Sequence, residues 1–328
     1  MGGDKAPAVV VAGAVHAVQQ ASLRVLLCGP EAQLRMELAA HEATAASALD
    51  AITIVDAPEV IGMGEAPVAA VKTKRRSSIH VGLGAHKQGR ADAFISAGNT
   101  GAVMAASVFI LGRLPGVARP SVPGYFPTTR GTCLVLDVGS NMDSRPEHLI
   151  QFARMGAVYA QRLLKVERPA VGLLSVGEEP GKGNELVKAA YEQFRHASDL
   201  HFIGNIEGRD IMHHAADVVV CDGFVGNVVL KYGESITTAV TAMVEQEMAR
   251  HDLTPAQQQA VREVFDGVQK RFNPEEHGGA PLLGVDGTVF IGHGSSTARA
   301  IERLITQAAR AAKLGLTPSI ADVFHAAV

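Results

Sequence analysis

The sequence predicts an α/β fold with a mainly parallel sheet covered by helices on both faces, and three observations predict it. Short, continuously apolar runs bounded by Gly, Asp or Pro recur at residues 24–28, 52–55, 93–96, 132–138, 170–176, 201–204, 218–221 and 288–292. Most are followed by stretches of helical character, such as residues 31–39, 147–164 and 184–197. Strands that are apolar throughout, rather than at alternate positions, are those buried on both faces of a parallel sheet. Polar and glycine-rich segments fall where these runs end, and in such sheets ligands bind at the carboxyl ends of the strands.

The 328 residues suffice for one large α/β domain or two smaller ones. A single domain over 1–328 is expected, with a helical hairpin inserted at about 234–272. The net charge of −3 gives no global preference for nucleic acid, so any basic patch must be local. Cys28, Cys133 and Cys221 sit in separate apolar runs without paired spacing, which points to core positions in a reducing compartment rather than a disulfide or zinc site. There is no signal-peptide pattern and no apolar run of the ~18 residues a transmembrane helix needs. A cytoplasmic protein is expected.

In order along the chain, residues 6–21 carry Val9-Val10-Val11, which favours a strand, but their length, alanines and Pro7 favour a helix opened by the turn Gly2-Gly3-Asp4. A crossover helix this close to Met1 has no strand ahead of it, so the sheet is expected to lack its first strand. Residues 72–78 form a dense basic run that reads either as a solvated helix end or as a docking patch for an acidic partner. Residues 114–127 read as a Pro- and Gly-rich loop, with Arg113, Arg119 and Arg130 around it. The stretch 236–272 reads as a helical hairpin. Its first arm carries Ile236, Val240, Met243, Val244 and Met248, and its second carries Val261, Val264, Phe265, Val268 and Phe272. Thr254-Pro255 supplies the cap and first turn of that second arm. Packing within the chain or a dimer accounts for the apolar stripes, and lipid contact is the alternative.

Five polar loops follow strands. Residues 92–101 (DAFISAGNTG) run from a strand through a tight turn into an Ala-rich helix, where unpaired amides and Asn99, Thr100 and Gly101 offer donors to an anion. An ordinary strand-to-helix turn is the other reading. Residues 136–141, 175–185, 221–227 and 292–296 complete the set. Residues 177–183 resemble a nucleotide-binding P-loop, but the spacing is one residue short and Gly183 replaces the required Ser or Thr. No dinucleotide fingerprint, nucleophile elbow or zinc-ligand spacing appears, so no cofactor and no metal are expected. Donors without a protein nucleophile suit acyl transfer in which phosphate itself attacks a thioester.

These segments resemble the bacterial PlsX family of acyl carrier protein:phosphate acyltransferases. The likeness rests on MGGD at 1–4, ISAGNTGA at 95–102, LPGVARP at 114–120, LDVGSN at 136–141 and PEHL at 146–149. It continues through GEE at 177–179, KGNE at 182–185, residues 217–231, residues 278–285 and HG at 293–294, in order over nearly the whole chain. It implies a Rossmann-like α/β/α fold, a homodimer and peripheral association with the inner face of the cell membrane. It also implies the substrates acyl carrier protein and inorganic phosphate, and a membrane-bound glycerol-3-phosphate acyltransferase that uses the product. Members of that family carry a short strand ahead of Met-Gly-Gly-Asp; either the start was assigned to an internal methionine, or this sheet lacks a strand.

On that resemblance Asn99, Thr100 and Gly101 are expected to bind phosphate. Lys182 and Asn184 would neutralise phosphate or the oxyanion, and Asn141, Asn227 and His293 would line the reaction centre. Asp4, Asp137 and Asp222 are expected to orient these donors, while Lys72, Lys74, Arg75, Arg76 and Arg119 would meet the acidic carrier. The rivals are an acyl-CoA-dependent phosphate acetyl- or butyryltransferase, a decarboxylating dehydrogenase on a related sheet, and a non-catalytic membrane-surface scaffold.

Overall fold

A computed structural model describes residues 1–272 and 278–325. Two compact units are distinguished. The first comprises Met1–Pro120, Arg162–Leu164 and the carboxyl-terminal stretch; the second comprises Ser121–Gln161 and the stretch that starts at Lys165.

The first unit opens with helix α1 (Ala8–Gln20), strand β1 (Val25–Gly29), helices α2 (Glu31–Ala39) and α3 (Glu42–Leu49), and strand β2 (Ile52–Asp56). Helices α4 (Pro67–Thr73) and α5 (Ser78–Lys87), strand β3 (Phe94–Ser96) and helix α6 (Thr100–Ile110) follow. β1 pairs in parallel with β2 over five residues, Val25 opposite Ile52 through Gly29 opposite Asp56.

The second unit begins with β4 (Gly124–Thr128) and β5 (Gly131–Leu136), then α7 (Pro146–Tyr159), β6 (Ala170–Leu174), α8 (Glu185–His196) and β7 (His201–Ile206). It continues with α9 (Gly208–Met212), β8 (Val218–Val220), α10 (Gly223–Met248) and α11 (Pro255–Phe272). Its five strands form one sheet in the order β4-β5-β8-β6-β7. β5, β8 and β6 are parallel and central, and Leu134, Leu136, Val171, Leu173, Val218 and Val220 are fully buried. The apolar runs read from the sequence are these strands.

β4 departs from the sequence reading. Residues 124–127 lie within the expected loop, yet with Thr128 they pair antiparallel with β5. Pro127 obscured the strand, and its missing N–H is tolerated because β4 is an edge strand. The hairpin is present as α10 and α11, but its first arm begins at Gly223 rather than near 234. Arg262 donates to both oxygens of Glu245 at 3.0 and 3.2 Å, and Gln269 donates to Thr241 Oγ1 at 2.7 Å, joining the arms. Ile236, Val240, Met243, Val264 and Val268 on the two arms are exposed.

The chain then returns to the first unit with β9 (Ala280–Pro281), β10 (Val289–Ile291), α12 (Ala298–Lys313) and α13 (Leu316–His325). β10 pairs in parallel with β3 and antiparallel with β9. Among the described residues the first unit therefore has a β1-β2 pair and a β3-β10-β9 triplet.

Candidate active site

The expected site residues fall into two groups, one in each unit. In the first unit, loops meet at the carboxyl ends of the parallel strands β3 and β10. The turn Gly2-Gly3-Asp4 lies against both: a Cβ on Gly3 would stand 3.0 Å from the Ala97 carbonyl oxygen and 3.2 Å from that of Gly294. Glycine here lets three backbones approach closely without crowding a side chain. The Asp4 amide donates to Gly294 O at 2.9 Å, and its carboxylate lies beside Gly294.

Asn99 is buried and caps α6, its Oδ1 accepting from the Ala102 amide at 3.0 Å. Its Nδ2 is directed to the carbonyls of Gly62, Met63 and Glu65 at 3.1–3.2 Å. The side chain thus clasps the neighbouring loop, and the donors left toward solvent are the first-turn amides of Thr100 and Gly101 with the exposed Thr100 hydroxyl. Gly101 is required by packing, since a Cβ there would meet Pro67 Cγ at 2.7 Å.

His293 is exposed, and its Nδ1 accepts from the Ser295 amide at 3.3 Å and lies 2.7 Å from Ser295 Oγ. An acceptor Nδ1 puts the proton of the neutral ring on Nε2, which is left to donate.

The basic run is less free than its sequence suggests. Lys74 donates to Glu65 Oε1 at 2.6 Å and to Val60 O at 2.8 Å, and Glu65 also accepts from the Gly62 amide at 2.6 Å. These bonds hold the carboxyl of Glu65 below its usual range. Lys74 thereby ties down the loop that Asn99 clasps. Arg76 lies 3.5 Å from Asp56 Oδ2. Lys72, Arg75 and Arg119 are exposed, with no carboxylate paired to them among the described residues.

In the second unit Asp137 is the hub. It is fully buried, and its Oδ1 accepts from Ser121 Oγ at 3.2 Å and from Ser140 N and Oγ at 3.2 and 2.6 Å. Its Oδ2 accepts from Asn141 N and Nδ2 at 2.6 and 3.0 Å. The start of α10 rests on this loop; a Cβ on Gly226 would stand 1.8 Å from Asp137 O. Gly139, with φ +126°, lies beside Asn227, so Asn141 and Asn227 flank the same loop. Asp222 caps α10, accepting from Phe224 N and Val225 N at 3.0 Å.

Asn184 caps α8 through Val187 N at 2.9 Å. Lys182 lays its stem over Gly177, whose Cβ would stand 2.9 Å from Lys182 Cγ, and among the described residues no carboxylate pairs with it. Asn205, absent from the sequence expectations, is buried at the end of β7 and donates to Glu179 O at 2.9 Å, steadying this loop. A polar residue directly after the expected strand at 201–204 was its only signal.

Burial pushes the thiol of Cys28 up to about 11, and raises those of Cys133 and Cys221 as well. None of the three is a thiolate nucleophile at neutral pH.

Residues 1–318 match the family model described as fatty acid synthesis protein. A phosphate acyltransferase from Salinibacter ruber is 55% identical over 99% of this chain and 96% of its own length. The chain belongs to this family. A phosphate acyltransferase from Desulforamulus reducens is 44% identical over 98% of the chain and 95% of its own length. Membership makes the chain an acyltransferase of lipid synthesis. A phosphotransacetylase from Streptococcus pyogenes superposes with a TM-score of 0.52 over 94% of this chain and 99% of its own, at 14% identity. A branched-chain phosphotransacylase from Enterococcus faecalis gives 0.51 over 94% and 97%, also at 14% identity. These two establish the Rossmann-like fold alone.

Proposed function

We propose that this acyltransferase moves a fatty acyl group from the thioester of acyl carrier protein to inorganic phosphate, forming an acyl phosphate for phospholipid synthesis. The observation that carries the reading is the convergence at the ends of β3 and β10, where the Gly2-Gly3-Asp4 turn lies against Ala97, Gly98 and Gly294, which in the chain directly adjoin the donors at the start of α6 and His293. A helix N-terminus with backbone donors suits a phosphate dianion. The names of relatives that share about half of the sequence agree with it.

In this reading a phosphate oxygen attacks the thioester carbonyl carbon directly. The C–O bond forms, the tetrahedral oxyanion is held by donors, and the C–S bond breaks. The proton of monohydrogen phosphate passes to the departing thiolate, so no general base needs to gain a net proton. The protonated state of the buried thiols agrees with the absence of an acyl-cysteine intermediate. His293 donates through Nε2, Asp4 orients its loop, and Asp137 orients Asn141. Lys182 is assigned a charge-neutralising role, supported by its lack of a carboxylate partner among the described residues.

Lys72, Arg75 and Arg119 are proposed to meet the acidic carrier, and the exposed apolar stripes of α10 and α11 to pack in a homodimer. Delivery of the product to a glycerol-3-phosphate acyltransferase at the inner membrane face completes the proposal. Among the described residues no helix is long and apolar enough to cross a membrane.

The test is release of free carrier thiol from long-chain acyl carrier protein, with and without phosphate, trapping product with hydroxylamine. Phosphate-dependent release with a hydroxamate product is expected. Equal release without phosphate, or release only from coenzyme A thioesters, sinks the reading. Lys182→Ala should lower turnover sharply at unchanged thermal stability; unchanged kinetics removes Lys182 from the mechanism.

A further inference from the structure

Lys182 stands on a loop with little of its own to hold it in place. The loop joins β6, which ends at Leu174, to α8, which starts at Glu185, and Glu178 to Lys182 are all exposed. An exposed run gains no burial, so its conformation depends on the few hydrogen bonds it makes. Within the loop the Lys182 amide donates to Glu179 O at 3.0 Å, closing a turn over Pro180 and Gly181. Beyond Lys182, the Asn184 cap fixes the chain to α8.

The Glu179 carbonyl accepts a second bond, from outside the loop. Asn205 lies on β7, which pairs in parallel with β6 and places Asn205 opposite Leu173. It is 5% exposed, and its Nδ2 donates to Glu179 O at 2.9 Å. One carbonyl oxygen, with two lone pairs, thus joins the Lys182 turn to the sheet. Among the described residues this is the one hydrogen bond between that turn and another strand. From the turn the Lys182 stem crosses Gly177, where a Cβ would stand 2.9 Å from Cγ and 3.3 Å from Cδ. Strand, turn and stem form one line of contacts that ends at the ammonium.

Asn205 is poorly suited to stabilising the fold for its own sake. Its Oδ1 is buried and meets no donor among the described residues, so half of the amide is desolvated without a compensating bond. A leucine has the same branching and no polar atom to satisfy. It would leave no orphan on the loop either, because Glu179 O keeps the Lys182 amide. What leucine cannot do is tie the Glu179 carbonyl to β7.

We propose that Asn205 is a positioning residue: through the Glu179 carbonyl it fixes where the turn holds Lys182 during acyl transfer. The inference rests on the acyl-transfer reading and on the charge-neutralising role assigned there to Lys182.

Asn205→Leu, Lys182→Ala and the double variant test it against the parent chain. Phosphate-dependent release of carrier thiol, thermal unfolding and amide hydrogen exchange are measured on each. Asn205→Leu is expected to keep the parent's unfolding midpoint and to speed exchange of the Lys182 amide about tenfold. It should lower kcat about tenfold at an unchanged KM for the carrier. In the Lys182→Ala background the same change should leave kcat where Lys182→Ala has put it. An equal fall in both backgrounds, or unchanged exchange of the Lys182 amide, overturns the positioning and leaves the acyl-transfer reading intact. If Lys182→Ala keeps the parent's kcat, the role of Lys182 falls and the positioning with it. A parent chain that releases no thiol with phosphate sinks the reading as well. Should Asn205→Leu not fold, Asn205→Ser, too short to reach Glu179 O, enters the same comparison with the same outcomes.

Discussion

Among the described residues the second unit carries an unbroken five-stranded sheet, whereas the strands of the first divide into a pair and a triplet. Burial follows pairing. All three residues of β8 are buried, as are four of the five in β6, and these strands are paired on both edges. In β1 two of five residues are buried, and in β2 none. The polar sites differ in the same sense. The second unit builds on one fully buried carboxylate, and the first on a backbone convergence and a capping amide. A strand that completes its ladder on both edges can be apolar throughout, and the loop that follows it can be held by a buried charge. A strand with an unpaired edge leaves its surroundings dependent on whatever covers that edge.

The largest expected effect comes from the buried hub. Asp137→Ala leaves the donors of Ser121, Ser140 and Asn141 unsatisfied in the interior and should cost about 4 kcal/mol in denaturant unfolding. Asp4→Ala, exposed in the first unit, should cost less than about 0.5 kcal/mol. Equal losses would erase the contrast between the two sites. Next, Leu136→Ala in the doubly paired β5 should cost about 3 kcal/mol, and Leu26→Ala in the half-buried β1 nearer 1 kcal/mol. The reverse order would break the link between ladder pairing and burial.

Asn99→Ala removes a helix cap and the clasp on residues 62–65 together, for about 2 kcal/mol, and should raise the apparent KM for phosphate by loosening the turn. Unchanged KM would separate that clasp from substrate binding. The smallest effect is alkaline. The folded Cys28 thiol keeps its proton up to about 11, against an ordinary value of 9.0. Between these values the folded state binds more protons than the unfolded one. Its contribution is therefore complete below the ordinary value and is lost as pH rises through the folded one. Cys28→Ala should flatten this limb of the stability–pH curve, and an unchanged slope would show that Cys28 is not buried in solution.

Helix caps show where sequence reading stopped. Asn99, Asn184 and Asp222 were read as ligand-binding or orienting groups, and in the structure each side chain caps a helix. The signal was local, a polar residue just ahead of a helical stretch. Lys74 read as part of a basic patch, but a loop nine residues away in sequence supplies its partner, Glu65. Asp137 was legible as a polar residue at the end of an apolar strand, followed by the small donors of LDVGSN. That it would gather five hydrogen bonds was not legible, because one of its partners, Ser121, arrives from sixteen residues upstream.

The sequence by itself determined the α/β class, the positions of the buried strands, the two-armed hairpin and the family. Apolar runs, turn residues and motif strings are local properties that need no knowledge of neighbours. Only the tertiary structure decided which strands pair, that residues 124–128 form an edge strand, which side chains cap helices and which remain exposed. Ladder pairing, burial and hydrogen-bond partners are relations between distant segments, and no single stretch of chain records which neighbour its backbone will find.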